Sequence, residues 1–345
     1  MTSIEWTNKT WNPIVGCSRV SRGCEHCYAE GVAHRGMSPQ HRGLTVLGKK
    51  GPRWTGEVRF LRSKLHEPLS WKKPARVFVN SMSDLFHESL PDEAIDRVFA
   101  VMLLAPQHTF QILTKRPERM RAYLTAPGLY DRVLRAAEGL RGTSPPARRL
   151  DLTRIGISDP ARFPAPWIWL GVSVEDQQAA DARIPLLLDT PAALRWVSYE
   201  PALGPVSFGV AAARSREWVA AGLEQRAARR TDGRLVTHAA SLLDWIVVGG
   251  ESGPGARPFD LAWARSTVEQ CRGAGVPAFV KQLGARPRRE CGCETGEWQG
   301  GVRRCADCFD GTQPLTLSNR KGGDPSEWPA DLRVREFPEV PDAAE

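Results

Sequence analysis

The sequence predicts an α/β protein, a partial or full (β/α) barrel carrying a small cysteine-bearing insertion near its C-terminus. Three observations predict it. Short apolar runs recur along the chain, each followed by a helical pattern or a long connection, as in a parallel sheet covered by helices. Polar residues gather at the C-terminal end of each run, where barrels and open α/β sheets bind ligands. The 345 residues, 41% of them hydrophobic, suffice for one large core. A doubly wound open sheet shares these features and is the alternative, because a sequence alone does not close a barrel.

The elements follow in order. Residues 76–80 (RVFVN) form a strand. Residues 91–104 form a helix, with Ile95, Val98, Phe99, Met102 and Leu103 at helical spacing, Pro91 in the first turn and Pro106 as its stop. Residues 109–114 (TFQILT) are a strand and 117–124 a helix. Residues 167–175 (WIWLGVSVE) are a strand, followed by a helix over 176–183. Residues 194–200, 244–250 and 278–282 are strands. Between the last two, residues 260–272 form a helix with Leu261, Ala264, Val268 and Cys271 on one face and Gly273 at its end. One further strand is expected near the first cysteines.

The core is assigned to 1–285, with insertions at about 139–166 and 210–242. A zinc-binding insertion at 286–311, a segment packing on the barrel at 312–337 and a disordered tail at 338–345 complete the domain plan. No apolar run approaches the roughly 20 residues that cross a bilayer, and the N-terminus has no signal-peptide core. The chain is therefore expected to be cytoplasmic, away from membranes. There its eight cysteines favour metal binding or catalysis over disulfides. The net charge of +8 favours a polyanionic partner such as nucleic acid, although the arginines are spread out and no single stripe dominates.

The cysteines form two sets. Cys17, Cys24 and Cys27 lie in one short loop, flanked by Gly16 and Gly23. A closed structural zinc site uses four protein ligands, whereas an iron–sulfur cluster on three cysteines leaves one iron open. The loop is read as a cluster site; a zinc knuckle completed by His26 or His34 is the alternative. Cys291, Cys293, Cys305 and Cys308 are two close pairs with the form of a structural four-thiolate zinc site. The strand ends carry Ser81, Ser83 and Asp84; Lys115 and Arg116; Glu175; Glu200; Gly249, Gly250 and Glu251; and Lys281. Helix capping accounts for part of this set, and one shared pocket for the rest. Glu251 needs a ligand group or a neighbouring cation such as Lys281.

These motifs carry a resemblance. WNPIVGC-x6-C-x2-CYAE, SMSDLFHE, LTKRPERM, GVSVE, RIPLLL, SYEPALGPV, VGGESG and VKQLG occur in that order and together cover nearly the whole chain. The sequence resembles the phage-associated three-Cys-motif family, a domain of unknown function, whose relatives are similar to radical S-adenosylmethionine enzymes such as spore photoproduct lyase. The resemblance implies a partial (β/α)6 barrel. It implies a [4Fe–4S] cluster on Cys17, Cys24 and Cys27, with S-adenosylmethionine on the open iron. Gly249, Gly250 and Glu251 match the superfamily's glycine-glycine-glutamate motif in letters, and Ser81, Ser83 and Asp84 match its position after the second strand. The first cysteine gap is six residues here, against three in the superfamily.

The expected function is a radical-type iron–sulfur protein modifying or repairing a nucleic acid or nucleotide, with a genomically neighbouring protein as a further partner. The alternative is a non-enzymatic zinc protein that binds nucleic acid.

Overall fold

The computed structural model describes residues 4–36, 38–141, 163–212, 228–229, 235–236, 239–290, 297–299, 302–304 and 312–339. Seven strands pair in one sheet: β1 (Lys9–Trp11), β2 (Arg76–Val79), β3 (Thr109–Thr114), β4 (Ile168–Val174), β5 (Leu194–Tyr199), β6 (Trp245–Gly249) and β7 (Ala278–Gln282). Their spatial order is their chain order, and all six pairings are parallel. A doubly wound sheet reverses direction at a switch point. This one does not, so it is a half-barrel of the kind a partial (β/α) barrel uses, and the doubly wound alternative is excluded.

Helices α1 (Tyr28–His34), α2 (Asp92–Leu103), α3 (Pro117–Leu124), α4 (Leu129–Arg141), α5 (Gln177–Leu188), α6 (Phe208–Ala212) and α7 (Leu261–Ala274) intervene between strands. Period-2 alternation divides the strand side chains between two layers. Val77, Val79, Phe110, Ile112, Leu170, Val172, Val197, Ile246 and Val248 face out and form the main core with the helices. Phe78, Trp169, Trp196, Trp245, Val247 and Phe279 face in. Trp6, from the segment before β1, plugs this inner layer, with its ring 4.8 Å from Phe78 and 5.1 Å from Trp196. Burying one such indole is worth about 4–6 kcal/mol gross. The lower half of the barrel is therefore filled.

β4 accommodates this layer at Gly171, which pairs with Trp196 in register. A Cβ there would lie 2.5 Å from the Trp196 indole. On the open side, β1 and β7 do not pair. Val280 N–H donates to Val334 O (2.8 Å) and Glu336 N–H to Ala278 O (2.9 Å), so the chain's end runs antiparallel along β7. Phe337 then stacks on Phe279 and Trp245, and the Arg76 guanidinium of β2 lies 3.7 Å over its ring.

Several elements depart from expectation. α5 runs past Arg183 to Leu188 with Pro185 inside it. α7 ends beyond Arg272, at Ala274, and its left-handed cap is Gly275 (φ +67°) rather than Gly273. α4 is an additional helix, and its Leu129, Val133, Ala137 and Leu140 join the main core. A hairpin, Thr45–Gly48 with Gly51–Trp54, is likewise additional. Most of the expected insertions at 139–166, 210–242 and 286–311, and the tail beyond residue 339, lie outside the described residues. So do Cys291, Cys293, Cys305 and Cys308. Among the described residues, no helix is long and apolar enough to cross a membrane.

Candidate functional site

The inward face of the sheet changes from apolar to polar toward the C-terminal ends of the strands. Ser173, Ser198, Gly249 and Lys281 occupy inward positions above the indoles. Lys115 Nζ donates to Ser173 Oγ (2.7 Å), and Ser173 Oγ donates to the Glu200 carbonyl (3.0 Å). Glu200 accepts from Ser198 Oγ (3.2 Å) and lies 3.0 Å from Lys281 Nζ. Glu175 is buried and pairs with Arg183 (Nη1 to Oε2, 2.9 Å). Burial alone would raise its carboxyl. The Arg183 charge, with the Ser21 hydrogen bond, the Lys115 charge and the Arg183 hydrogen bond, outweighs burial and holds it below the usual range. The mouth is thus charge-balanced: each of these carboxylates has its own cation.

The glycines of the GGES motif are accounted for by packing. A Cβ on Gly249 would stand 2.8 Å from Glu200 Oε1, and one on Gly250 would stand 2.8 Å from Phe259 and 2.9 Å from the Leu283 carbonyl. Glu251 finds its cation in Arg257, not in Lys281. Arg257 donates through its backbone N–H (2.8 Å) and Nε (3.1 Å), and through Nη2, while His26 Nδ1 lies 3.1 Å away. Burial would raise the Glu251 carboxyl, but the Arg257 hydrogen bonds and charge depress it.

The cysteine loop lies across this mouth. Gly16 leaves the barrel at φ +92°, and a Cβ on it would collide with the Glu57 carbonyl, so no side chain fits there. Gly23 comes down onto Glu175 and Lys115, which a Cβ would meet at 3.1 and 3.3 Å. Arg116, Glu30, Arg257 and His87 hold the loop. Arg116 donates to Ser18 Oγ (2.7 Å) and Ser18 O (3.2 Å), and its Nη1 lies 3.8 Å from Cys17 Sγ. Glu30, the glutamate of CYAE, accepts from Arg19 Nε (2.8 Å) and from the Trp54 N–H (3.0 Å) of the hairpin. Arg257 spans from Glu251 to Glu25 (3.0 Å). His87, buried, accepts the Ser89 N–H at Nδ1 (3.2 Å), which leaves Nε2–H to donate to Ser18 Oγ (2.9 Å).

The serines and aspartate after β2 serve this framework. Asp84 accepts from Thr114 Oγ1 (2.7 Å), the Lys115 N–H (3.0 Å), the Phe86 N–H (3.0 Å) and Arg116 Nη1 (3.2 Å). Ser83 Oγ donates to Ile14 O (2.9 Å), and Ser81 Oγ to Asn12 Oδ1 (3.2 Å). Tyr28, largely exposed, donates its hydroxyl to Ser81 O (2.7 Å).

Cys17, Cys24 and Cys27 are free thiols. Burial, the Asp84 charge and the two other cysteines push the Cys17 thiol up to about 12, against an opposing pull from Arg116. Burial likewise raises Cys27. Among the described residues, no three His, Cys, Asp or Glu side chains surround a single ion-sized point. Both alternative zinc ligands have a ring nitrogen engaged elsewhere, His26 with Glu251 and His34 Nδ1 with Thr45 Oγ1 (3.3 Å). Three thiols leave a tetrahedral ion one protein ligand short, whereas an iron–sulfur cluster can be held by three cysteines.

A separate cavity of about 280 Å³ lies beside Gly284, with Arg286, Arg288, Asn319 and Arg320 in its wall, and contains none of the strand-end carboxylates. Sequence reasoning missed Arg257, Arg183 and His87. Each acts through a contact across the fold rather than through a local pattern.

No curated protein and no solved structure matches the chain. A family model does match, over residues 1–314, and the chain belongs to that family, described as a protein of unknown function, DUF5131.

Proposed function

We propose that this protein is an iron–sulfur enzyme of the radical S-adenosylmethionine type, acting on a nucleic acid or nucleotide at the barrel mouth. One observation carries the reading: three free thiols lie in one loop that is pinned over the C-terminal mouth of a sequentially ordered parallel half-barrel. Cys17, Cys24 and Cys27 would hold a [4Fe–4S] cluster. When bound, such a cluster supplies one electron to a sulfonium cofactor at its open position. Arg116 favours the thiolate of Cys17 and fixes the loop. Lys115, Glu175, Glu200 and Lys281 lie at the strand ends beneath the loop and would orient the polar ends of cofactor and substrate. Glu251 and Arg257 tie the loop to the late strands. Asp84 and Ser83 position the loop through Arg116 and the Ile14 carbonyl, while Ser81 supports Tyr28. The four late cysteines would hold a structural zinc.

The test is metal and sulfide analysis of anaerobically reconstituted protein, followed by S-adenosylmethionine cleavage under dithionite. Iron and sulfide should bind and be lost in Cys17→Ala, Cys24→Ala and Cys27→Ala, with the circular dichroism spectrum kept. Zinc as the sole metal in wild-type protein, without iron uptake, would favour the non-enzymatic zinc protein instead.

A further inference from the structure

The net charge of the chain resides in one segment. Residues 31–66 hold eight lysines and arginines and one glutamate, a net of +7 out of +8 for the whole chain. No stripe is visible when arginines alone are followed, because Lys49, Lys50 and Lys64 complete this one. Glu57 is paired with Arg59 (2.6 Å), and Lys64 with Glu67 (2.7 Å). Arg35, Arg42, Lys49, Lys50, Arg53 and Arg62 are exposed, and none of them forms an ion pair among the described residues.

The segment also has a distinctive shape. Its centre is the two-stranded hairpin Thr45–Gly48 and Gly51–Trp54, whose turn is Lys49-Lys50. Val46 and Leu47 are 56% and 72% exposed. Consecutive strand residues point to opposite faces, so the ribbon stands clear of the body on both sides at that level. Its base is fixed, since Glu30 accepts from Trp54 N–H and Arg19 donates to Pro52 O (3.3 Å). The ribbon is thereby joined to the cysteine loop at the barrel mouth.

We infer that this ribbon enters the major groove of duplex DNA, with the flanking cations on the phosphates, and so presents DNA to the cysteine loop. A two-stranded ribbon fits the roughly 12 Å major groove of B-form DNA. It does not fit the narrow major groove of duplex RNA. Exposed Leu47 and Val46 offer apolar contact to thymine methyl groups. This deepens the nucleic-acid part of the proposed function, but it is measured by binding and needs no cluster.

The experiment is fluorescence anisotropy with a labelled DNA duplex of mixed sequence, titrated with salt, alongside single-stranded DNA and duplex RNA of the same sequence. The expected result is preference for the DNA duplex. The triple variant Lys49→Ala, Lys50→Ala, Arg53→Ala should lower the slope of log affinity against log salt by about 3. Leu47→Ser should weaken binding with the slope unchanged. No duplex binding at low salt, equal or tighter binding of duplex RNA, or an unchanged slope in the triple variant would each overturn the inference. If DNA binds as expected but the protein takes up no iron, the enzymatic reading alone fails.

Discussion

Glu251 shows how one side chain ties the late strands to the cysteine loop. It is nearly buried, with 8% of its side chain exposed, and Arg257 links it onward to Glu25. Glu251→Gln removes charge-assisted hydrogen bonds worth about 1.5–3 kcal/mol. Thermal unfolding should register that loss, and limited trypsin digestion should cut the loop at Arg22 faster. The pH dependence has a definite sign. The folded carboxyl is held below its ordinary 4.5, so its stabilisation is present above that value and disappears as pH falls through the folded value. Acid titration of the melting temperature should therefore fall less steeply in Glu251→Gln than in wild type. An identical acid limb in the two proteins would assign the stabilisation elsewhere. Glu251 was visible in the sequence as a costly carboxylate, but its partner was not. Arg257 lies six residues on in a loop, and no periodicity marks it.

Among the elements, β4 is the strand most constrained by its neighbours. All seven of its residues are buried, and Gly171 gives up its side chain to Trp196 on β5. Gly171→Ala drives a methyl group into the indole, an overpacking that typically costs about 1–3 kcal/mol. Chemical denaturation should show a lower midpoint with an unchanged slope. Stability equal to wild type would mean that the indole layer can shift, against the close packing seen around Trp6, Trp196 and Trp245. The strands were legible because each is a short apolar run bounded by turn residues. α4 carried a legible signal too, in Leu129, Val133, Ala137 and Leu140. The hairpin at 45–54 was harder to find: its residues are half-exposed, and its partner α1 belongs to the cysteine motif rather than to the core.

At the scale of the whole molecule, the buried thiol of Cys271 reports on the integrity of the core. It sits on α7 at 1% exposure, and burial, reinforced by the Glu336 charge, pushes it up to about 12. A thiol raised in this way stabilises the fold fully below its ordinary 9.0, and that contribution is lost as pH rises toward the folded value. The melting temperature of metal-free protein should decline as pH rises from 9.0 toward about 12, less so in Cys271→Ala. That variant should cost about 1 kcal/mol at neutral pH. Parallel declines in the two proteins would show that Cys271 is ionised elsewhere than in the folded core.

The sequence by itself determined the α/β class, the positions of the strands, the polar strand ends and the grouping of Cys17, Cys24 and Cys27. These are local facts: apolar period, turn chemistry and spacing are written in consecutive residues. Tertiary structure alone decided the strand order that makes a half-barrel, since order depends on which strands meet. It also decided the inner layer of indoles, because alternation does not say which face lies within the barrel. Arg183, Arg257 and Arg116 became the partners of Glu175, Glu251 and Asp84 only when the chain folded and brought them together at the mouth. Pairing of charges is a matter of distance in space, and that distance is set by the fold.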